Sequence, residues 1–243
     1  MFAHTSAVKP YKGMGMEGAV ARWYAALAQK SLDRYKELAR HTAELIQPGC
    51  NVLEVAPGPG YFAIELAKLG DYHITGLDIS KTFIDIARAN AAKANVKIDF
   101  RHGNASRMPF ADGSFDFLAC SAAFKNFTEP LRALEEMHRV LRPGGQALIV
   151  DLRKDASAEA ISQAVSAMRA GLLNAIITKL TFRHMLLKRA YTRRSFEQLV
   201  AQSKFRQAQI REDFIALEVM LTKQRDANEA GQEAGNHSTP LWF

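Results

Sequence analysis

The sequence predicts an α/β protein built on a mostly parallel seven-stranded sheet, with helices on both faces and the last strand antiparallel. Three observations carry that reading. A short apolar run, Val52-Leu53-Glu54-Val55, breaks into the turn Ala56-Pro57-Gly58-Pro59-Gly60 and then into a helical pattern from Tyr61. A second run, Ile74-Thr75-Gly76-Leu77, ends on the acid Asp78, eighteen residues past Gly60. Strand and helix patterns then keep alternating as far as Asp151, and such alternation predicts parallel strands joined by right-handed crossovers.

Taken in order, the chain opens on a glycine-hinged, Met-rich leader in which Gly13, Gly15 and Gly18 interleave with Met14, Met16 and Glu17. From about Glu17 the spacing of Val20, Tyr24, Leu27, Leu38 and Leu45 predicts helix up to Pro48-Gly49. Residues 1–47 are thus expected to be a lid and its helices, with Tyr11, Met16 and Tyr24 reaching a bound ligand. Residues 48–223 form the main domain. Its first helix carries Phe62, Leu66 and Leu69 on one face and stops at Gly70, and Ser80 caps the next.

A strand follows over Val96–Phe100, then Gly103-Asn104-Ala105 and a turn with Pro109 and Asp112-Gly113, then a strand over Phe115–Cys120. Thr128 and Pro130 start a helix whose Leu131, Leu134, His138 and Leu141 share a face. Arg142-Pro143-Gly144-Gly145 ends it before the strand Ala147–Asp151. His138 reads as a packed histidine rather than a base. Beyond Asp151 a long helical pattern, Ala156–Lys188, predicts a helical cap at about 155–190, followed by a helix over Thr192–Gln202. Gln207–Arg211 and Ala216–Thr222 then read as an antiparallel hairpin. Residues 224–243 are small and polar and are expected to be a disordered tail.

Composition narrows the function classes. At 243 residues and 48% hydrophobic content the chain suits one α/β domain with additions. No run of roughly 18 uncharged apolar residues occurs, the length a membrane span requires, and Met1–Lys9 lacks a continuous apolar core. A soluble, unprocessed, cytoplasmic protein is expected. Cys50 and Cys120 lack the spacing of a zinc site or redox pair, and no metal motif is present. The net charge of +7 is partly concentrated, since Ala160–Phe196 holds no acid but seven Arg and Lys residues, Arg169, Lys179, Arg183, Lys188, Arg189, Arg193 and Arg194. Without an RNA-binding module or an Asn/Asp-Pro-Pro-aromatic signature at the fourth strand, no nucleic acid partner is expected.

The turn after the first strand suits a nucleotide. Gly58 and Gly60 allow close backbone approach, and Asp78 at the tip of the neighbouring strand is placed to accept ribose hydroxyls, so the ligand is expected to be an adenosine compound. An NAD(P) oxidoreductase has some support, because Gly58, Gly60 and Ala63 satisfy G-x-G-x-x-A. The Tyr-x-x-x-Lys pair of short-chain reductases does not follow the fourth strand.

Four stretches in fixed order set the balance: Leu53–Gly60, Gly76–Ser80, Pro109–Asp116 and Arg139–Gly145. With them the chain resembles the class I S-adenosylmethionine-dependent methyltransferases, especially the small-molecule branch that includes the ubiquinone and menaquinone methyltransferases. The resemblance covers about Val52 to Leu152 and implies a Rossmann-like sheet with S-adenosyl-L-methionine as cofactor and S-adenosyl-L-homocysteine as product. It implies that Gly58 and Gly60 approach the methionine part, that Glu54 holds its ammonium, and that Asp78 binds the ribose with Ile79 against the adenine. Asn104 and Ala105 would meet the adenine edge, and Ser121 or Ala122 the sulfonium. Two residues depart from the family pattern: Ala56 replaces its first glycine, and Asn104 replaces an acid.

Methyl transfer from a sulfonium is an in-line displacement, so the protein must position the acceptor, exclude water and, for a poor nucleophile, remove a proton. Lys125 and Asp151 are the candidate catalytic residues, and Phe124, Lys125, Asn126 and Arg153 the candidate acceptor contacts. The expected acceptor is a small hydrophobic or anionic molecule such as a phenol or quinol. Leu173, Ile176, Ile177, Leu180 and Leu187, with Lys179 and Arg183 beside them, suggest peripheral contact with a membrane surface. A third reading keeps the fold as a non-catalytic binder of the cofactor.

Overall fold

The computed structural model describes residues 11–12, 15–167 and 187–225. Helices α1 (Gly18–Gln29) and α2 (Leu32–Leu45) precede β1 (Asn51–Val55), α3 (Tyr61–Ala67), β2 (His73–Asp78), α4 (Lys81–Lys93) and β3 (Asp99–His102). Then come β4 (Phe115–Ser121), a 3-10 turn at Phe124–Asn126, α5 (Pro130–Val140) and β5 (Leu141–Leu152). The chain continues through α6 (Ala158–Ala167), the single turn α7 (Leu187–Arg189), α8 (Arg193–Ala201), β6 (Gln209–Asp213) and β7 (Ala216–Thr222). The expected long cap helix is described only at these two ends, and its middle and the tail after residue 225 lie outside the described residues. Among the described residues no helix is long and apolar enough to cross a membrane.

One seven-stranded sheet has the order β3-β2-β1-β4-β5-β7-β6. Strands β1 to β5 pair in parallel, and β7 pairs antiparallel with both β5 and β6. The order reverses between β1 and β4, and ligands of such sheets bind beyond the carboxyl ends of strands at that reversal. Strand alternation gives each face its own core. Leu53 and Val55 pack with Leu134, Met137 and Phe196, whereas Val52 packs with Phe62, Ile84 and Phe100.

Several elements differ from the sequence reading. The first helical stretch is two helices, and α1 buries Ala21, Ala25 and Ala28 while Trp23 and Leu27 are exposed. Alanines bring α1 close to its neighbours where larger side chains would hold it off. Strand β3 starts at Asp99 because Asn95, at φ 54°, closes α4 in a left-handed cap and the Val96 amide returns to the Ala91 carbonyl. Helix α5 buries Ala133, Leu134, Met137 and Val140, with Leu131 only half-buried and the ring of His138 edge-on to Phe205 at 5.0 Å. Leu69 lies beyond α3 and is exposed.

Strand β5 begins at Leu141, opposite Phe115, and the pairing resumes only at Gln146 opposite Phe117. The residues between form a bulge that the Gly144 amide ties to the Lys223 carbonyl at 2.8 Å. The landmark stretches around Pro109 and Arg139 meet in one clamp. Arg139 donates to the carbonyls of Phe110 (2.7 Å) and Met108 (3.0 Å) and to Asp112 (2.7 Å), and Glu136 accepts from the Met108 amide at 2.7 Å. These residues fasten the loop before β4 to α5.

Phe100 fills space that two glycines leave open. A Cβ on Gly76 would stand 2.5 Å from Phe100 Cδ1, and one on Gly60 would stand 2.9 Å from its Cζ. Gly76→Ala therefore overpacks the core beside the turn after β1 and is expected to cost about 1–3 kcal/mol by urea denaturation. Adding Phe100→Leu should restore part of that loss, and a Gly76→Ala protein as stable as the wild type would refute the packing argument.

Candidate active site

The turn between β1 and α3 is held in an uncommon backbone conformation. Ala56, Gly58 and Gly60 have φ of 59°, 54° and 79°, all left-handed, and Ala56 adopts it with a Cβ at a cost of roughly 1–2 kcal/mol. Compensation comes from β2. The Ala56 amide donates to the Leu77 carbonyl at 2.8 Å, and the Gly58 amide donates to Asp78 Oδ2 at 2.9 Å. Asp78 Oδ1 accepts from the Ser80 amide at 2.8 Å. Asp78 is buried, which pushes its carboxyl up to about 6 although these amides favour the charged form.

Glu54 stands behind the turn, 3% exposed, and its Oε2 has no hydrogen-bond partner among the described residues. Burial raises its carboxyl to about 8, the Ala63 amide opposes the shift, and the charge of Asp78 adds to it. A buried carboxylate oxygen without a partner is costly, and a ligand's ammonium would satisfy it. Ile79 is half-buried beside Asp78. Asn104 uses its Oδ1 to accept the Ser106 amide at 2.8 Å, so its side chain shapes the turn in which half-buried Ala105 lies.

At the ends of β4 and β5 an ion pair organises the loop. Ser121 is half-buried and Ala122 has φ 57°, its amide donating to the Val150 carbonyl at 2.7 Å. The Lys125 ammonium donates to the Ala122 carbonyl at 2.5 Å and to Asp151 Oδ1 at 2.7 Å. Asp151 also accepts from the amides of Lys125 (2.8 Å) and Leu152 (2.7 Å). Both side chains are about 95% covered, with exposures of 4% and 5%.

The four expected acceptor contacts divide. Phe124 is fully buried, with ring centroids 5.2 to 5.9 Å from Phe127, Tyr191 and Phe196. Lys125 is committed to Asp151. Arg153 is paired with Asp155 at 2.9 Å and Glu212 at 3.0 Å. Asn126 alone retains an unpartnered polar atom, its buried Oδ1.

The N-terminal segment lies against the loop after β4 and against the start of α4. Tyr11 forms a bridge with Phe127, and burial followed by the proximity of Tyr24 raises its hydroxyl above the usual tyrosine range. Tyr24 stacks edge-on to Phe83 at 5.8 Å. Met16 offers its carbonyl to the Ser80 hydroxyl at 2.5 Å. Glu17 spans the first turn of α4, accepting from the amides of Lys81 (2.9 Å) and Thr82 (3.1 Å) and from the Thr82 hydroxyl (2.5 Å). Glu17 and Thr82 escaped the sequence reading, because a cap supplied from 64 residues away has no local signature.

Residues 53–149 match a family described as a methyltransferase domain. Over 136 residues the chain is 37% identical to a demethylmenaquinone methyltransferase of Deinococcus radiodurans, covering 56% of this chain and 51% of that protein. Over 109 residues it is 37% identical to a demethylmenaquinone methyltransferase of Listeria monocytogenes, covering 44% of this chain and 46% of that protein. The chain thus spans about half the length of the curated relatives it matches. Its fold is similar to that of a solved SAM-dependent methyltransferase from Aquifex aeolicus, with a TM-score of 0.58 at 16% identity over 79% of this chain and 98% of that one. The core from 53 to 149 is therefore similar to the methyltransferase-domain family. The sheet around it has the Rossmann-like arrangement of that solved structure.

Two predictions come from these charges. Lys125→Met leaves the Asp151 carboxylate buried without its cation and should destabilise the protein by about 3–5 kcal/mol, whereas Lys125→Met with Asp151→Leu should cost less than that single change. In a cycle that includes Asp151→Leu alone, a double-variant loss equal to the sum of the two single losses would show that the pair is not coupled. Glu54, ordinarily near 4.5, keeps its proton in the folded state up to about 8. The folded state binds more protons over that window, so stability should fall as pH rises from about 4.5 and level off above about 8. Asp78 adds the same sign up to about 6. Denaturation midpoints at pH 5, 6.5 and 8 test this, and Glu54→Gln should flatten the decline.

Proposed function

We propose that the protein transfers a methyl group from S-adenosyl-L-methionine to a small organic acceptor with an acidic hydroxyl, of the quinol or phenol class. The observation that carries this is the unpartnered Glu54 oxygen behind a turn whose Gly58 amide is fixed by Asp78. When bound, the cofactor supplies an electrophilic methyl on a positively charged sulfur. Glu54 holds its ammonium, Gly58 and Gly60 admit its methionine part, and Asp78 offers its remaining lone pairs to the ribose. Ile79, Asn104 and Ala105 line the adenine side, Ser121 and Ala122 stand at the sulfur, and Tyr11, Met16 and Tyr24 exclude water from the rim.

The acceptor class is read from what the site withholds. Asp151 already accepts three hydrogen bonds, and the Lys125 ammonium is held by two acceptors, so this pair positions the loop after β4 instead of removing a proton. An acceptor that ionises readily needs no stronger base. The names of the relatives, demethylmenaquinone methyltransferases, support a quinol, and the cationic stretch from Ala160 to Phe196 suits approach to a membrane-borne one. The match of residues 53–149 to methyltransferases weighs against an NAD(P) oxidoreductase.

Calorimetry on the purified chain tests the reading. S-adenosyl-L-homocysteine should bind at micromolar concentration and NADH should not, with Asp78→Asn weakening the former about tenfold or more. Binding of NADH alone would overturn the proposal. Binding of homocysteine product without turnover on any phenol or quinol would favour the non-catalytic reading.

A further inference from the structure

Two cations 177 residues apart meet beside the loop after β4. Arg189, in α7, donates from Nη1 to the Lys12 carbonyl at 2.8 Å, and the Lys12 amide donates to the Asn126 carbonyl at 2.8 Å. Both are thereby fixed against the loop after β4, beside the bridge between Tyr11 and Phe127. Both side chains are half-buried, and among the described residues neither takes part in an ion pair.

Partial burial and then the charge of Arg189 hold the Lys12 ammonium below the usual lysine range. The neighbouring Tyr11 hydroxyl feels Arg189 and also Asp78 and Asp151. Like charges held together away from water are unfavourable until an anion joins them. Arg and Lys on either side of one position form a common carboxylate receptor.

We propose that Lys12 and Arg189 form an oxyanion-binding site at the rim of this cleft, taking a carboxylate or equally acidic group of the ligand bound there. The site rests on the functional reading above. Two ligands of that reaction could supply the anion, the aminoacyl carboxylate of the cofactor or an acidic group of the acceptor.

Matched probes separate these sources in the full-length chain. S-adenosyl-L-homocysteine is compared with 5′-methylthioadenosine, which lacks the carboxylate, and 4-hydroxybenzoate is compared with 4-hydroxybenzamide on protein saturated with the homocysteine product. The variants are Arg189→Met and Lys12→Met, the second keeping the backbone carbonyl that Arg189 uses. In one arm the charged probe should lose about tenfold or more in affinity in both variants while its uncharged counterpart is unaffected, and the arm that responds identifies the source. Unchanged affinities throughout, or equal weakening of charged and uncharged probes, would overturn the site. If the wild-type chain binds neither adenosine ligand, the functional reading itself falls and takes this site with it.

Discussion

Everything at the cleft depends on how the Asp78 carboxylate is held. One oxygen fixes the Gly58 amide of the turn after β1, and the other fixes the Ser80 amide that opens α4. A single buried acid therefore sets the distance between two strand-to-helix turns on adjacent strands. Burial disfavours its charge and the amides oppose that shift. The same economy governs the other side of the sheet reversal, where Asp151 collects the loop after β4 through Lys125.

The elements legible in the sequence were those whose physics is local. The strand, glycine turn and helix around Gly58 and Gly60 are specified by residues within ten positions of one another. The same holds for the acid-ended strand at Asp78 and the final hairpin of β6 and β7. Periodicity misassigned faces where small residues do the burying, as at Ala21, Ala25 and Ala28 of α1, because alanine contributes little to an apolar pattern. Asn95 ended α4 and delayed β3 by a left-handed conformation that a strand pattern across Val96 did not reveal.

The site was partly legible for the same reason. Glu54, Gly58, Gly60 and Asp78 lie where the spacing placed them, at the carboxyl ends of adjacent strands. The spacing could not show that Lys125 and Asp151, 26 residues apart, would neutralise each other in the interior, or that Phe124 would join a cluster with residues of α8. Those facts depend on which loops pack together, and no local motif encodes them. Arg139 is an instructive middle case, conspicuous in sequence and structural in role.

The Glu17 clasp bears on what counts as a module. Helix α4 lies inside the stretch that the methyltransferase-domain family delimits, yet the carboxylate that satisfies its first amides comes from before that stretch. Excising residues 53–149 would strip a cap from the helix that follows Asp78 and uncover the surface on which α1 lies. The unit of homology is thus narrower than the unit of folding, and a graft of this core onto another scaffold would have to carry its own substitute for Glu17.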